Sequence, residues 1–116
     1  MLATATTKGV KIFDIKNGDL LAEMAMPGIQ TKQVELSYSD KSFMVLYEDK
    51  NRESWIRVFN IKDAIEHGKR DGCCQHLAEI KGPKDHGINN CKWGPLDKTV
   101  YYCTDKGRLL MYDIEE

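Results

Sequence analysis

Four cysteines and three histidines are the residues of this 116-residue chain whose types best suit chemistry. Cys73, Cys74 and His76, with His86 or Cys91 beyond them, could offer thiolates and imidazoles to a zinc ion. Adjacent cysteines, however, lack the gap of two to four residues that lets paired ligands converge on one tetrahedral metal. A loop thiol beside a strand is the favoured reading, and no metal is expected. Nucleophilic catalysis by Cys73 or Cys74 would need a base within hydrogen-bond reach and an oxyanion site. No local signature supplies them, and a small thiol enzyme is the least favoured reading. No glycine-rich phosphate cradle or Walker-type lysine loop occurs, so no cofactor is expected.

Two other sets of residues invite a functional reading. Phe43, Trp55, Tyr101 and Tyr102 could stack on the bases of single-stranded RNA. Each falls on an inner strand, and core packing is the better reading. Asp14, Asn60 and Asp113 could pass for acid–base groups, but residues of this kind at strand ends commonly hydrogen-bond turn backbone. Catalytic, cofactor and metal residues are therefore expected to be none. Partner-binding residues are left unassigned.

Composition narrows the field. Seventeen basic and eighteen acidic residues give a net charge of −1 with no basic stripe, so direct nucleic-acid binding is not indicated. The longest apolar stretch, Leu20 to Met26, is broken by Glu23 and stops at Pro27. It is far short of the roughly 20 residues that cross a bilayer. The first residues lack a charged region followed by an apolar core, and the four cysteines read as reduced thiols of a cytoplasmic protein. Cys91 and Cys103 fall at apolar strand positions, where cysteine acts as a small hydrophobe.

The elements that carry these residues are strands. Leu2 to Thr6, Val10 to Ile15 and Leu20 to Ala25 form one set, with Asn17-Gly18 supplying the positive φ of a tight turn. In the second set, Val34, Leu36 and Tyr38 alternate with polar neighbours, Phe43 to Tyr47 is continuously apolar, and Trp55 to Ile61 and Gln75 to Ile80 follow. Lys62 to His67, within the long connection Lys62 to Gly72, could make a single helical turn. Ile88 to Trp93, Val100 to Thr104 and Leu109 to Ile114 complete the third set.

One phrase runs through all three sets. Ile12-Phe13-Asp14-Ile15 returns as Val58-Phe59-Asn60-Ile61 and as Met111-Tyr112-Asp113-Ile114, at steps of 46 and 53 residues. Thr6-Thr7-Lys8-Gly9 is echoed by Thr104-Asp105-Lys106-Gly107, and Leu21-Ala22-Glu23 by Leu77-Ala78-Glu79. A repeat of roughly 40–45 residues ending a strand on an aromatic–acid pair marks propeller blades. The expected fold is all-β: blades of four-stranded antiparallel sheet, with about two and a half to three blades present. Residues 1–26 would be strands b-c-d of one blade, 31–80 a complete blade, and 87–116 strands a-b-c of a third. A full propeller needs about 300 residues, so the chain reads as a partial propeller whose bare faces favour self-association.

The phrase and its turns resemble WD repeats. Cys91-Lys92-Trp93-Gly94-Pro95-Leu96 is similar to the Val-Trp-Gly-Pro-Leu segment found in the i subunits of eukaryotic translation initiation factor 3. Thr6 to Leu21, with its Lys-Asn-Gly turn, is similar to the second repeat of that family. A lengthened b–c hairpin around Asp49 to Glu53, followed by Val58-Phe59-Asn60-Ile61-Lys62-Asp63, is similar to the third. Phenylalanine or tyrosine replaces tryptophan in all three phrases, and the Gly-His pair of a full WD repeat is absent, His86-Gly87 being its reverse. The resemblance spans about repeats 2 to 4. It implies a non-catalytic scaffold that joins other subunits of the factor, notably b and g, and acts in translation initiation at the small ribosomal subunit. The rival reading is a WD-repeat adaptor in signalling or ubiquitin ligation. In either case the b–c and d–a loops would share one face, and the a–b and c–d connections the other. Both faces are candidates for binding.

Overall fold

A computed structural model describes residues 1–6, 9–25, 30–71, 78–83 and 87–114, with Thr6, Ala25 and 67–71 described by backbone alone. Among them, three antiparallel sheets follow one another along the chain. The first is β1 (Leu2–Thr6), β2 (Gly9–Phe13) and β3 (Leu20–Ala25), in that order. The second is β4 (Gln30–Leu36), β5 (Ser42–Glu48), β6 (Ser54–Asn60) and β7 (Ala78–Lys81). The third is β8 (Ile88–Trp93), β9 (Thr99–Thr104) and β10 (Leu109–Asp113). Helix α1 (Ile61–Asp71) links β6 to β7.

The turns follow from their residues. Gly18 takes φ +76°, and its N–H returns to the Asp14 carbonyl at 2.8 Å. The Asp14 and Asn17 side chains accept the Lys16 and Asp19 amides at 2.9 and 3.0 Å. These are Asx turns, which short polar side chains favour. Asp14 thus acts on turn backbone as expected, and Asn60 does the same where β6 ends. Its Oδ1 accepts the Asp63 amide at 3.3 Å and caps α1. Asp113 makes no such bond among the described residues.

The second sheet lies between the other two, and β5 explains how. Phe43, Val45 and Tyr47 join Val10, Ile12, Ala22 and Met24 of the first sheet in one buried cluster. Met44 and Leu46 join Ile88, Cys91, Trp93, Val100 and Tyr102 of the third in another. Successive residues of a strand point to opposite faces, so both faces of β5 are covered and its run is apolar throughout. Burying each such side chain contributes about 1.5–3 kcal/mol. Ile61 and Ala64 of α1 complete the first cluster.

Several expectations need correction. The helix runs for eleven residues rather than one turn. An asparagine cap and buried residues three apart stabilise it in a sequence that otherwise reads as polar connection. Tyr38 does not continue the alternation of Val34 and Leu36. The Ser37 amide closes a turn on the Ser42 carbonyl at 2.8 Å and leaves Tyr38 76% exposed.

The hairpin around Asp49 to Glu53 is lengthened as expected, though not in its loop. Asp49 N–H to Glu53 O and Arg52 N–H to Asp49 O repeat in Thr104 N–H to Arg108 O and Gly107 N–H to Thr104 O. The extra length lies in the strands: β5 and β6 have seven residues each, against six and five in β9 and β10. Cys103 is exposed rather than packed, whereas Cys91 is buried as expected. The repeated phrase is likewise buried by context. Val58 and Phe59 are inside, but Met111 and Tyr112 are exposed on β10, which pairs only with β9 among the described residues.

Candidate functional site

The two ends of the sheets differ in chemistry. At one end lie the β5–β6 and β9–β10 turns together with Gly82, Pro83 and Gly87. They are joined by Gly82 N–H to Ser54 O at 2.8 Å and Asp105 N–H to Gly87 O at 2.9 Å. Among the described residues, none of these connections carries an exposed large apolar side chain.

At the other end lie the β4–β5 and β8–β9 turns and the start of α1. Ile61 N–H to Lys41 O at 2.9 Å and Ile114 N–H to Lys98 O at 2.8 Å tie the residue after β6 to the β4–β5 turn and the residue after β10 to the β8–β9 turn. Tyr38, Ile65 and Leu96 are exposed here by 76%, 38% and 81%. Ile15, 67% exposed, holds the corresponding turn of the first sheet. The remaining exposed large apolar residues, Leu2, Leu109, Met111 and Tyr112, belong to the outer strands β1 and β10.

The β8–β9 turn is built under constraint. After Gly94, a short 3-10 turn spans Pro95–Asp97, in which Leu96 and Asp97 both take left-handed backbone at φ 58° and 57°. For a leucine this conformation costs about 1–2 kcal/mol. A Cβ on Gly94 would collide with Thr99 Oγ1 and stand 2.8 Å from the Tyr101 ring, so only glycine fits. The turn is fixed to the second sheet by the Asp97 carboxylate, which accepts the Tyr38 amide at 2.9 Å and the Ser39 amide at 3.0 Å. Burial works to raise the Asp97 pKa. The hydrogen bonds of Ser39, Tyr38 and Ser37 outweigh it and hold the carboxyl below its usual value.

These turns frame a groove of about 1050 Å³ between the second and third sheets. Val58 and Trp93, both buried, form its floor with Ile114. Tyr38 and Leu96 form its walls, and Lys41 and Lys98 its rim. A smaller cavity of about 460 Å³ adjoins it, sharing Lys41 and Asn60 and reaching Ile65 of α1. The groove's lining mixes apolar side chains with the charged Lys41, Lys98 and Asp97.

The other candidates form no second site among the described residues. Cys73, Cys74, His76 and His86 lie outside the described residues, and no group of three potential metal ligands occurs among those described. Burial, with the nearby charge of Glu35, pushes the Cys91 thiol up to about 12, which leaves it protonated and unreactive. The four aromatics form no platform. Phe43 stacks on Phe59 at 5.2 Å inside the first cluster, and Tyr102 is buried in the second. Trp55 sits at the far end of the hairpin, stacked on Tyr47 at 6.5 Å, its Nε1–H donating to Asp49 at 2.8 Å. Lys81 covers its ring at 5.4 Å, and Tyr101 is half-buried on β9. The residues missed by the sequence reading are Tyr38 and Leu96. Pro95 before and Asp97 after mark the second as turn, but nothing local marks it as exposed and strained.

No protein-family profile matches this chain. No curated protein matches it. Among solved structures, the C-terminal WD40 domain of Sif2 is similar, with a TM-score of 0.74 at 15% identity. The likeness covers 98% of this chain and 31% of that one. At that identity it speaks for fold alone: the chain is a partial β-propeller of antiparallel sheets, one four-stranded and two three-stranded among the described residues.

Proposed function

We propose that this chain is a non-catalytic scaffold that binds other proteins through the face carrying Tyr38, Ile65 and Leu96. The uneven distribution of exposed apolar side chains carries this reading: one set of connections displays them and the opposite set displays none among the described residues. A leucine held in left-handed backbone on an exposed turn supports it, since strain retained at a surface points to use. Loops on a rigid scaffold are where binding specificity usually resides. Crosslinking from positions 38 and 96 tests the face. Capture of partners by the intact protein should be lost in Tyr38→Asp/Leu96→Asp and kept in Glu53→Lys/Arg108→Glu on the opposite end. The reverse pattern overturns it.

In this reading the three sheets are consecutive blades: strands b-c-d in 1–26, a complete blade in 31–80 and strands a-b-c in 87–116. The Trp93-Gly94-Pro95-Leu96 segment and the repeat order support a finer assignment, a WD-repeat subunit of the translation initiation factor 3 complex in the cytoplasm. Association with subunits b and g, and through them with the small ribosomal subunit, is the expected behaviour. A pull-down with b and g that recovers nothing would sink that assignment. Partners captured on the same face without them would indicate the signalling or ubiquitin-ligation adaptor instead. The apolar residues of β10 further favour self-association of the isolated chain. A strictly monomeric, folded species in sedimentation would argue against it.

A further inference from the structure

We infer that a second copy of this chain seats the outer face of its first sheet on the outer face of the third, so that two copies close a ring. The inference rests on the self-association proposed above and names the surfaces that meet. Strand registers make the second and third sheets equivalent. Met44↔Val58 and Leu46↔Ile56 of β5–β6 recur as Tyr101↔Met111 and Cys103↔Leu109 of β9–β10. In the second sheet those four residues are buried against the third. Their counterparts Cys103, Leu109 and Met111 are exposed. The third sheet thus repeats, on its outer side, the surface that it covers on the second.

The matching surface lies on the first sheet. Phe43 and Phe59 pair in register and are buried against the first sheet. Leu2 and Phe13 hold the same register in β1–β2. Strand alternation turns them away from Val10 and Ile12, and so away from the second sheet. One end of the chain therefore carries the kind of surface that the other end receives, in a contact already made twice within the molecule. Lys92 and Asp113 on one face, Lys11 and Glu23 on the other, give each a cation and an anion, so charge does not hold them apart. Head-to-tail contacts form rings where the rotation closes. Propellers close with about four to eight blades. With three sheets in each chain, two copies fall in that range, and neither one nor three does.

Sedimentation velocity of the whole chain should show a concentration-dependent dimer. Leu2→Asp and Met111→Asp should each weaken association at least about tenfold, since each buries a charge in an apolar contact. Circular dichroism should not change, because both side chains are more than half exposed in the single chain. A mixture of the two variants should associate more tightly than either alone. In it, the intact third sheet of one copy still meets the intact first sheet of the other. A chain that stays monomeric at every concentration overturns the inference together with the self-association on which it rests. Three results overturn the head-to-tail seating alone: a dimer that Leu2→Asp leaves intact, a dimer indifferent to both variants, or a mixture no tighter than its components. Species growing beyond the dimer overturn the ring.

Discussion

The two interfaces between sheets are built differently. Between the first and second sheets the described contact is apolar: Phe43 and Phe59, stacked on one another within the second sheet, share a buried cluster with Val10, Ile12, Ala22 and Met24 of the first, and Ile61 and Ala64 of α1 complete it. Between the second and third, a comparable apolar cluster is overlaid by directional bonds. Trp93 Nε1–H donates to the Glu35 carbonyl at 3.1 Å, and Gln33 Nε2–H to the Cys91 carbonyl at 3.1 Å. Lys92 pairs with Glu35 at 3.1 Å, and Ile88 N–H donates to Ser54 Oγ at 3.0 Å. Apolar burial is non-directional and sets adhesion. Hydrogen bonds set register. The second interface carries the groove, with Tyr38 from one sheet and Leu96 from the other in its lining.

That contrast can be broken from either side. Phe59→Ala should cost most, about 3–5 kcal/mol, because it empties a closed cluster; urea unfolding measures it. Gly94→Ala should cost about 1–3 kcal/mol by overpacking against Thr99 and Tyr101 and should shift the β8–β9 turn, seen as amide shift changes at Tyr38.

Asp97→Ala should cost about 0.5–2 kcal/mol, as loss of a capping side chain does. The sign of its pH dependence is fixed. The Asp97 pKa is depressed in the folded state, so its stabilisation is present above the ordinary carboxylate range. It is lost as pH falls through the lowered value. Unfolding curves taken from neutral pH down to about pH 3 should show this slope shrink in Asp97→Asn.

The smallest effect sharpens the comparison most. Leu96→Asn should change stability by less than about 0.5 kcal/mol, or raise it, because asparagine tolerates left-handed backbone. It should nevertheless weaken capture of partners. A stability loss as large as that of Gly94→Ala would make Leu96 a packing residue and remove its role in the groove.

Much of the fold was legible because each strand is announced by its neighbours. Asn17-Gly18 and Asp105-Lys106-Gly107 can hardly do anything but turn, and Phe43 to Tyr47 can be apolar throughout only if both faces are covered. Helix α1 was underread because its stability comes from Ile61 and Ala64 meeting the first sheet, a tertiary fact. The groove was not legible at all. Tyr38 and Leu96 are 58 residues apart and share no local signal, and their proximity depends on a carboxylate reaching across sheets. Local pattern even misdirects at Tyr38, whose parity matches a buried face until Ser37 breaks the strand. The cysteines show the same limit, since parity alone did not tell buried Cys91 from exposed Cys103.

The double-sided burial of β5 bears on how the molecule comes apart. Adjacent residues such as Phe43 and Met44 serve different clusters, so the two clusters share one backbone. Repeat architectures tend to melt piecewise, each unit coupled only to its neighbours. Here loss of either cluster withdraws support from the strand on which the other is built. Opening at one interface should therefore be felt at the other, and hydrogen exchange should be slowest at the amides of β5.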